Sequence, residues 1–391
     1  MLEDKTLSPF ADRLRDIEPF RVVEVLTRAK QLAAQGVDIV HMEAGEPDFA
    51  TAQPIIDAAK AALDNGATYY TSALGLPELR ERVAQFYQRQ YGLNIPASRI
   101  LITPGASGAL LLIAALLVNP GQGMLMADPG YPCNRNFLRL VEGEGQLVPV
   151  TVAERYQLTA SKAEEAWQPN TVGALVASPA NPTGEILRRD ELADLYNLVK
   201  SKNGTLVVDE IYHGLTYGED TPSILEITDE AYVINSFSKF FGMTGWRLGW
   251  LVAPEEAVPH LERLAQNLFI SMSTMGQYGA LAGFEEATLK ILEERRDIFK
   301  QRRDFLVPAL RELGFDIPNM PAGALYVYAN IERFSNNSTA FCKHLLEEHA
   351  IAITPGADFG RFRSDQHVRF AYTTSMEQLH KGVEKLRKAL A

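Results

Sequence analysis

The chain has 391 residues, enough for two or three domain-sized units around a sizeable core. Its 46% hydrophobic and 22% charged residues are those of an ordinary soluble globular protein. A net charge of −11 without any Lys/Arg block argues against nucleic-acid binding, and the 2 cysteines, Cys133 and Cys342, cannot form a disulfide framework and fit a reducing cytoplasm.

Met1–Lys5 lacks the basic and apolar regions of a signal peptide. Pro19–Gln35 has the pattern of an amphipathic helix, and Ala44-Gly45-Glu46-Pro47-Asp48-Phe49 is a turn-forming stretch. Gly45 would let a substrate approach the backbone there. A strand is expected at Arg99–Thr103, followed by Pro104-Gly105-Ala106-Ser107-Gly108 and the apolar run Ala109–Val118. That run is too short to span a bilayer and reads as a buried helix. Small residues at its N-terminus leave N–H groups free for a phosphate, although a plain strand–helix turn has the same sequence. A serine-hydrolase elbow is the rival reading of Gly105-Ala106-Ser107-Gly108-Ala109, but it needs glycine where Ala109 stands.

The second strand, Gly123–Ala127, leads into Asp128-Pro129-Gly130-Tyr131-Pro132, a rigid turn presenting a ring for stacking or for loop packing. The preceding Gly121-Gln122-Gly123 lacks the third glycine of a dinucleotide loop. Strands at Gln146–Val150 and Gly173–Ala177 follow, the latter delivering Ser178-Pro179-Ala180-Asn181-Pro182-Thr183-Gly184. Asn181 precedes a proline and is therefore held extended, with its amide available to an oxygen. A helix over Asp190–Lys202 and a strand over Thr205–Val208 lead to Asp209, with Tyr212 three residues on. A carboxylate at the end of an apolar strand needs a partner, either a protonated ring nitrogen or the N-terminus of a following helix.

Ala231–Asn235 and Arg247–Val252 complete seven strand candidates, with Ser236-Phe237-Ser238-Lys239, Gly242 and Gly245 between them. A lysine at a strand end beside another cation is expected to lose its proton easily and to form a Schiff base with a carbonyl. Ser236, Ser238 and Arg247 offer donors to a phosphate. An aldehyde and a phosphate together point to pyridoxal phosphate. Several strands are continuous apolar runs, as in an open, mainly parallel α/β sheet covered on both faces, where ligands gather at the carboxyl ends. Beyond soft boundaries near residues 50 and 287 the pattern changes. A long charged helix over Leu289–Leu313, short strands near Tyr326–Ala329 and Val368–Tyr372 and a helix near Thr339–His349 suggest a smaller α+β domain (288–391), with residues 1–50 packing onto it and 51–287 forming the large one. Arg369 sits in an alternating strand, pointing either to solvent or to a substrate carboxylate. His344 and His349 are five apart on a helix, a poor spacing for a shared metal.

In this order the motifs resemble the class I/II aminotransferases of pyridoxal-phosphate fold type I, over about Ala44 to Thr374. The resemblance implies an aminotransferase working by a ping-pong mechanism between an L-amino acid and a 2-oxo acid. A β-eliminating lyase acting on a cysteine-type amino acid is the alternative with the same cofactor. It implies that Lys239 holds the cofactor and shuttles the proton, that Asp209 keeps the ring nitrogen protonated, and that Asn181 and Tyr212 hydrogen-bond the phenolic oxygen. Tyr131 matches the stacking ring. Gly105, Ala106, Ser107, Ser236, Ser238 and Arg247 match the phosphate site. Arg369, with Asn181 and the backbone of Gly45, matches the substrate-carboxylate site. Tyr70 matches a tyrosine reaching the neighbouring subunit's phosphate, which implies a homodimer with shared active sites. Some bacterial aspartate aminotransferases of this branch carry a lysine where Ser107 stands and use it to recognise a side-chain carboxylate. The departure points toward neutral or aromatic substrates.

Overall fold

The computed structural model describes residues 10–391, so the reading of Met1–Lys5 lies outside the described residues. Twelve strands occur among them: β1 (Val40–His41), β2 (Ile100–Thr103), β3 (Gly123–Asp128), β4 (Glu144–Pro149), β5 (Thr171–Ala177), β6 (Thr205–Asp209), β7 (Tyr232–Ser236), β8 (Gly249–Val252), β9 (Tyr326–Asn330), β10 (Ile351–Ala352), β11 (Thr354–Pro355) and β12 (His367–Ala371). Seven of them form the central sheet in the order β2-β8-β7-β6-β5-β3-β4. β8 runs antiparallel to both its neighbours and the other pairs are parallel. The continuous apolar runs Ala174–Val176, Leu206–Val208 and Val233–Ile234 are buried, as strands covered on both faces require. Each valine, leucine or isoleucine among them contributes about 1.5–3 kcal/mol by leaving water.

The parallel connections are made partly by helices, among them Gly105–Leu117, Cys133–Leu140 and Arg189–Ser201. Because β2, β3, β5, β6 and β7 point the same way, the segments following them emerge along one edge of the sheet. β8 begins at that edge, which brings Arg247 there too. Arg247 itself lies outside the strand expected at Arg247–Val252, in a left-handed conformation with φ of 55°, and pairing starts at Gly249. A left-handed residue cannot continue a ladder, so the strand starts two residues late.

The chain ends meet on a second structure. β11-β12-β9 forms an antiparallel sheet, and β1 pairs in parallel with β10. Helix Glu286–Glu312 spans the two regions: its early Leu289 and Leu292 and its late Leu306, Val307 and Leu310 are all buried. Arg302 on this helix donates to both oxygens of Asp48, at 2.8 and 2.9 Å, and to the Thr373 carbonyl. This fork fixes the Ala44–Phe49 turn against the rest of the molecule.

Candidate active site

A cavity of about 250 Å³ opens at the carboxyl edge of the central sheet. Ala106 and Ser107 reach it from the turn after β2, Tyr131 from that after β3, Asn181 from that after β5, Asp209 and Tyr212 from the end of β6, and Ser236, Ser238 and Lys239 from the end of β7. Gly45, Arg247 and Arg369 complete it. The sequence-predicted residues thus converge, apart from Gly105, which lies directly behind Arg247, and Tyr70, which is 81% exposed.

One end of the cavity is built from backbone. Helix Gly105–Leu117 starts without any side-chain cap, so its first N–H groups and the positive end of its dipole face the cavity at Ala106 and Ser107. Gly105 has φ of 71°, and a Cβ there would lie 2.6 Å from an Arg247 guanidinium nitrogen. Only glycine lets the guanidinium close over this turn. Arg247 is steadied by a 3.0 Å bond from Nη1 to the Thr244 carbonyl. Across from it, strand alternation buries Phe237 against Phe241 and Trp250, which leaves Ser236 and Ser238 facing the other way. The Ser236 hydroxyl accepts the Ser238 N–H at 3.0 Å, tightening the turn that presents Lys239.

Lys239 donates from Nζ to the Gly45 carbonyl at 2.7 Å and lies 5.9 Å from the centre of the Tyr212 ring. Asp209 is 4% exposed and accepts the Ile211 N–H at 3.1 Å. Burial pushes its carboxyl up to about 7, partly opposed by that bond and by the Lys239 charge. No helix follows Asp209, which removes the capping alternative; the next residues form a turn. Its position is one that a cationic ring nitrogen would stabilise. Tyr212 Oη and Tyr326 Oη are 2.8 Å apart, and burial raises the Tyr212 phenol well above its usual value.

Arg369 is 2% exposed, so the solvent-facing alternative for this strand position is excluded. It donates to Asn181 Oδ1 at 2.9 Å and to the Glu43 carbonyl at 2.6 Å, and its guanidinium lies 4.1 Å from the Tyr326 ring and 4.7 Å from that of Phe359. Its buried Nε has no partner, which leaves capacity for an anion. Gly45 is pinned opposite: a Cβ on it would lie 1.8 Å from the Tyr326 hydroxyl. An uncapped helix start, a cation over a glycine turn, a buried carboxyl and a lysine amine fit a ligand with a phosphate, a ring nitrogen and an aldehyde.

Several contributors were not legible in the sequence. Tyr326 is an ordinary residue of a short strand until the fold brings it onto Tyr212, Arg369 and Gly45. Phe20, Val22, Val23 and Leu26 line the cavity from helix Arg21–Ala34 and its N-cap. Their amphipathic spacing gave the helix but not what it faces.

Residues 37–386 match the family described as Aminotransferase class I and II. A valine–pyruvate aminotransferase of Mycobacterium tuberculosis is 34% identical over 95% of this chain and 96% of its own. An aspartate aminotransferase of Thermotoga maritima is 30% identical over 97% and 98% respectively. A crystal structure of an aminotransferase from Mycobacterium tuberculosis superposes with a TM-score of 0.95 at 34% identity, covering 98% of this chain and 99% of that one. The sheet topology and this likeness are those of the type I aminotransferase fold, and nothing favours the lyase or hydrolase alternatives. The chain is an aminotransferase and belongs to the class I and II family.

Proposed function

We propose that this aminotransferase uses pyridoxal 5′-phosphate held at Lys239, and that it exchanges an amino group between an L-amino acid and a 2-oxo acid in two half-reactions. Support comes foremost from the juxtaposition of Lys239, buried Asp209 and the uncapped helix at Gly105–Ser107 around one cavity. When bound, the cofactor supplies an aldehyde that takes up the amino group and an electron sink that makes the substrate α-proton acidic. Asp209 balances a ring-nitrogen cation, which keeps that sink strong. Tyr212 and Asn181 orient the ring through its phenolic oxygen, and Tyr131 covers its face. Ser107, Ser236, Ser238, Arg247 and the N–H groups of Gly105 and Ala106 bind the phosphate. Arg369, steadied by Asn181, takes the substrate carboxylate beside the Gly45 backbone. With a substrate in place, the Lys239 amine nitrogen would accept and return the proton.

The working unit in this proposal is a homodimer. Tyr69 and Tyr70 are both more than 80% exposed, yet the segment carrying them is held by Thr274 and Gln277. Two aromatic rings fixed outward suit a second copy, whose phosphate Tyr70 would reach. Within each copy, residues 51–287 act as the large unit and 1–50 with 288–391 as the small one. The two unpaired thiols support a cytoplasmic setting; among the described residues no helix is long and apolar enough to cross a membrane. The test is a single-turnover experiment with an L-amino acid and no oxo acid. The expected products are one equivalent each of pyridoxamine phosphate and the matching 2-oxo acid; release of pyruvate and a thiol from cysteine instead would favour elimination.

A further inference from the structure

We propose that Asp128 is a positioning residue: it clips the turn carrying Tyr131 to residues 358–362, and the clip sets Arg369 in register with the cofactor-ring site. This deepens the aminotransferase reading and rests on the roles proposed there for Tyr131 and Arg369. β3 ends in Asp128, which is 3% exposed. Its carboxylate accepts the Arg361 N–H, 3.1 and 3.0 Å from its two oxygens, and the Phe362 N–H at 3.1 Å. Two residues on, the Gly130 N–H donates to the Phe359 carbonyl at 2.8 Å. Turn and segment are therefore tied by main-chain donors from both sides. The fit leaves no room for a side chain, since a Cβ on Gly360 would lie 1.7 Å from Asp128 Oδ1. Glycine is what lets the next two N–H groups close on one carboxylate. Burial raises the Asp128 carboxyl, and the Arg361 and Phe362 N–H groups, then the charges of Arg135 and Arg361, oppose that rise.

The clipped segment reaches the site at two points. Phe359 is 2% exposed and is one of the two rings against the Arg369 guanidinium, at 4.7 Å. It also lines, together with Tyr131 and Asn181, a small cavity of about 40 Å³. Asp358 accepts the N–H groups of Arg21 at 2.9 Å and Val22 at 3.3 Å, and its buried carboxylate lies within the field of Arg369.

Asp128 does not line the active-site cavity, whereas Tyr131 and Arg369 do. Its influence on a bound substrate runs through Gly130 to the Tyr131 turn and through Phe359 to the Arg369 guanidinium. A shift of residues 358–362 away from Asp128 would move both, so one connected frame holds the substrate carboxylate and the cofactor ring at a fixed offset.

The test breaks the clip from opposite sides in enzyme reconstituted with pyridoxal phosphate. Asp128→Asn removes the charge at nearly constant shape, and Gly360→Ala leaves Asp128 in place but pushes the segment away. Propionate, a carboxylate without an amino group, probes Arg369 as a competitive inhibitor of the half-reaction with the L-amino acid that reacts fastest. Inorganic phosphate, bound by the cofactor-free protein, probes the Arg247 end of the cavity. Both variants are expected to weaken propionate roughly tenfold, as for one hydrogen bond to a charged group. They should also reduce the near-visible circular dichroism of the bound cofactor and leave phosphate affinity unchanged. Propionate inhibition unchanged in both variants overturns the clip and leaves the aminotransferase reading standing. Equal weakening of propionate and phosphate would make Asp128 a general support of the fold and overturns it too. If propionate fails to inhibit the unmodified enzyme, the role of Arg369 fails and the clip with it.

Discussion

At the scale of single residues, Asp209 is a buried carboxyl that faces the cavity. Burial lifts its carboxyl from 3.8 to about 7. Between those values the folded chain keeps a proton that the unfolded chain has released, so this group's contribution to stability falls as pH rises through that window. In the cofactor-free protein Asp209→Asn is therefore expected to raise the melting temperature by a few degrees at pH 8 and by less than half as much at pH 5. In the reconstituted enzyme the same change removes the partner of a ring-nitrogen cation, and turnover should fall by roughly 100-fold. Equal melting shifts at both pH values would show that Asp209 is not a buried, proton-holding carboxyl. Asp209 was legible in the sequence because an apolar strand that ends in a carboxylate asks for a partner. Tyr326 was not, since its role comes from contacts with Tyr212 and Gly45, 114 residues away in the first case.

For elements, legibility followed the strength of the local pattern. Several of the seven central strands were readable as continuous runs of valine, leucine and isoleucine, the composition that burial on both faces favours. The turns after them were readable from glycine, proline and asparagine. The pairs β1–β10 and β11–β12 were not: each of β1, β10 and β11 is two residues long and exists only because distant chain segments meet. Arg247 shows a different limit. Its side-chain chemistry was evident, but its left-handed backbone is imposed by the turn that carries it to Gly105. Helix Glu286–Glu312 continues through Pro308, whose effect on the ladder is offset by the buried Leu306, Val307 and Leu310 around it.

The whole molecule brings both chain ends onto one cavity edge. Gly45 and helix Arg21–Ala34 come from the N-terminal part, Arg369 and Asp358 from the C-terminal part, and Arg302 ties the first to helix Glu286–Glu312. A substrate held between Arg369 and Lys239 would therefore contact both structural regions at once. On the dimer proposal, light scattering should give twice the 43.3 kDa chain mass. Tyr70→Phe should leave that mass unchanged while weakening pyridoxal-phosphate affinity roughly tenfold, the loss of one charge-assisted hydrogen bond of about 1.5 kcal/mol. A monomer, or an affinity untouched by the change, would place Tyr70 outside any shared site. The measurement that bears most directly on the central claim is borohydride reduction of the reconstituted enzyme followed by peptide mass spectrometry. The account predicts one pyridoxyl-phosphate adduct per chain, on Lys239, and neither adduct nor near-visible absorbance in Lys239→Ala. An adduct on another lysine, or full activity of that variant, would contradict it.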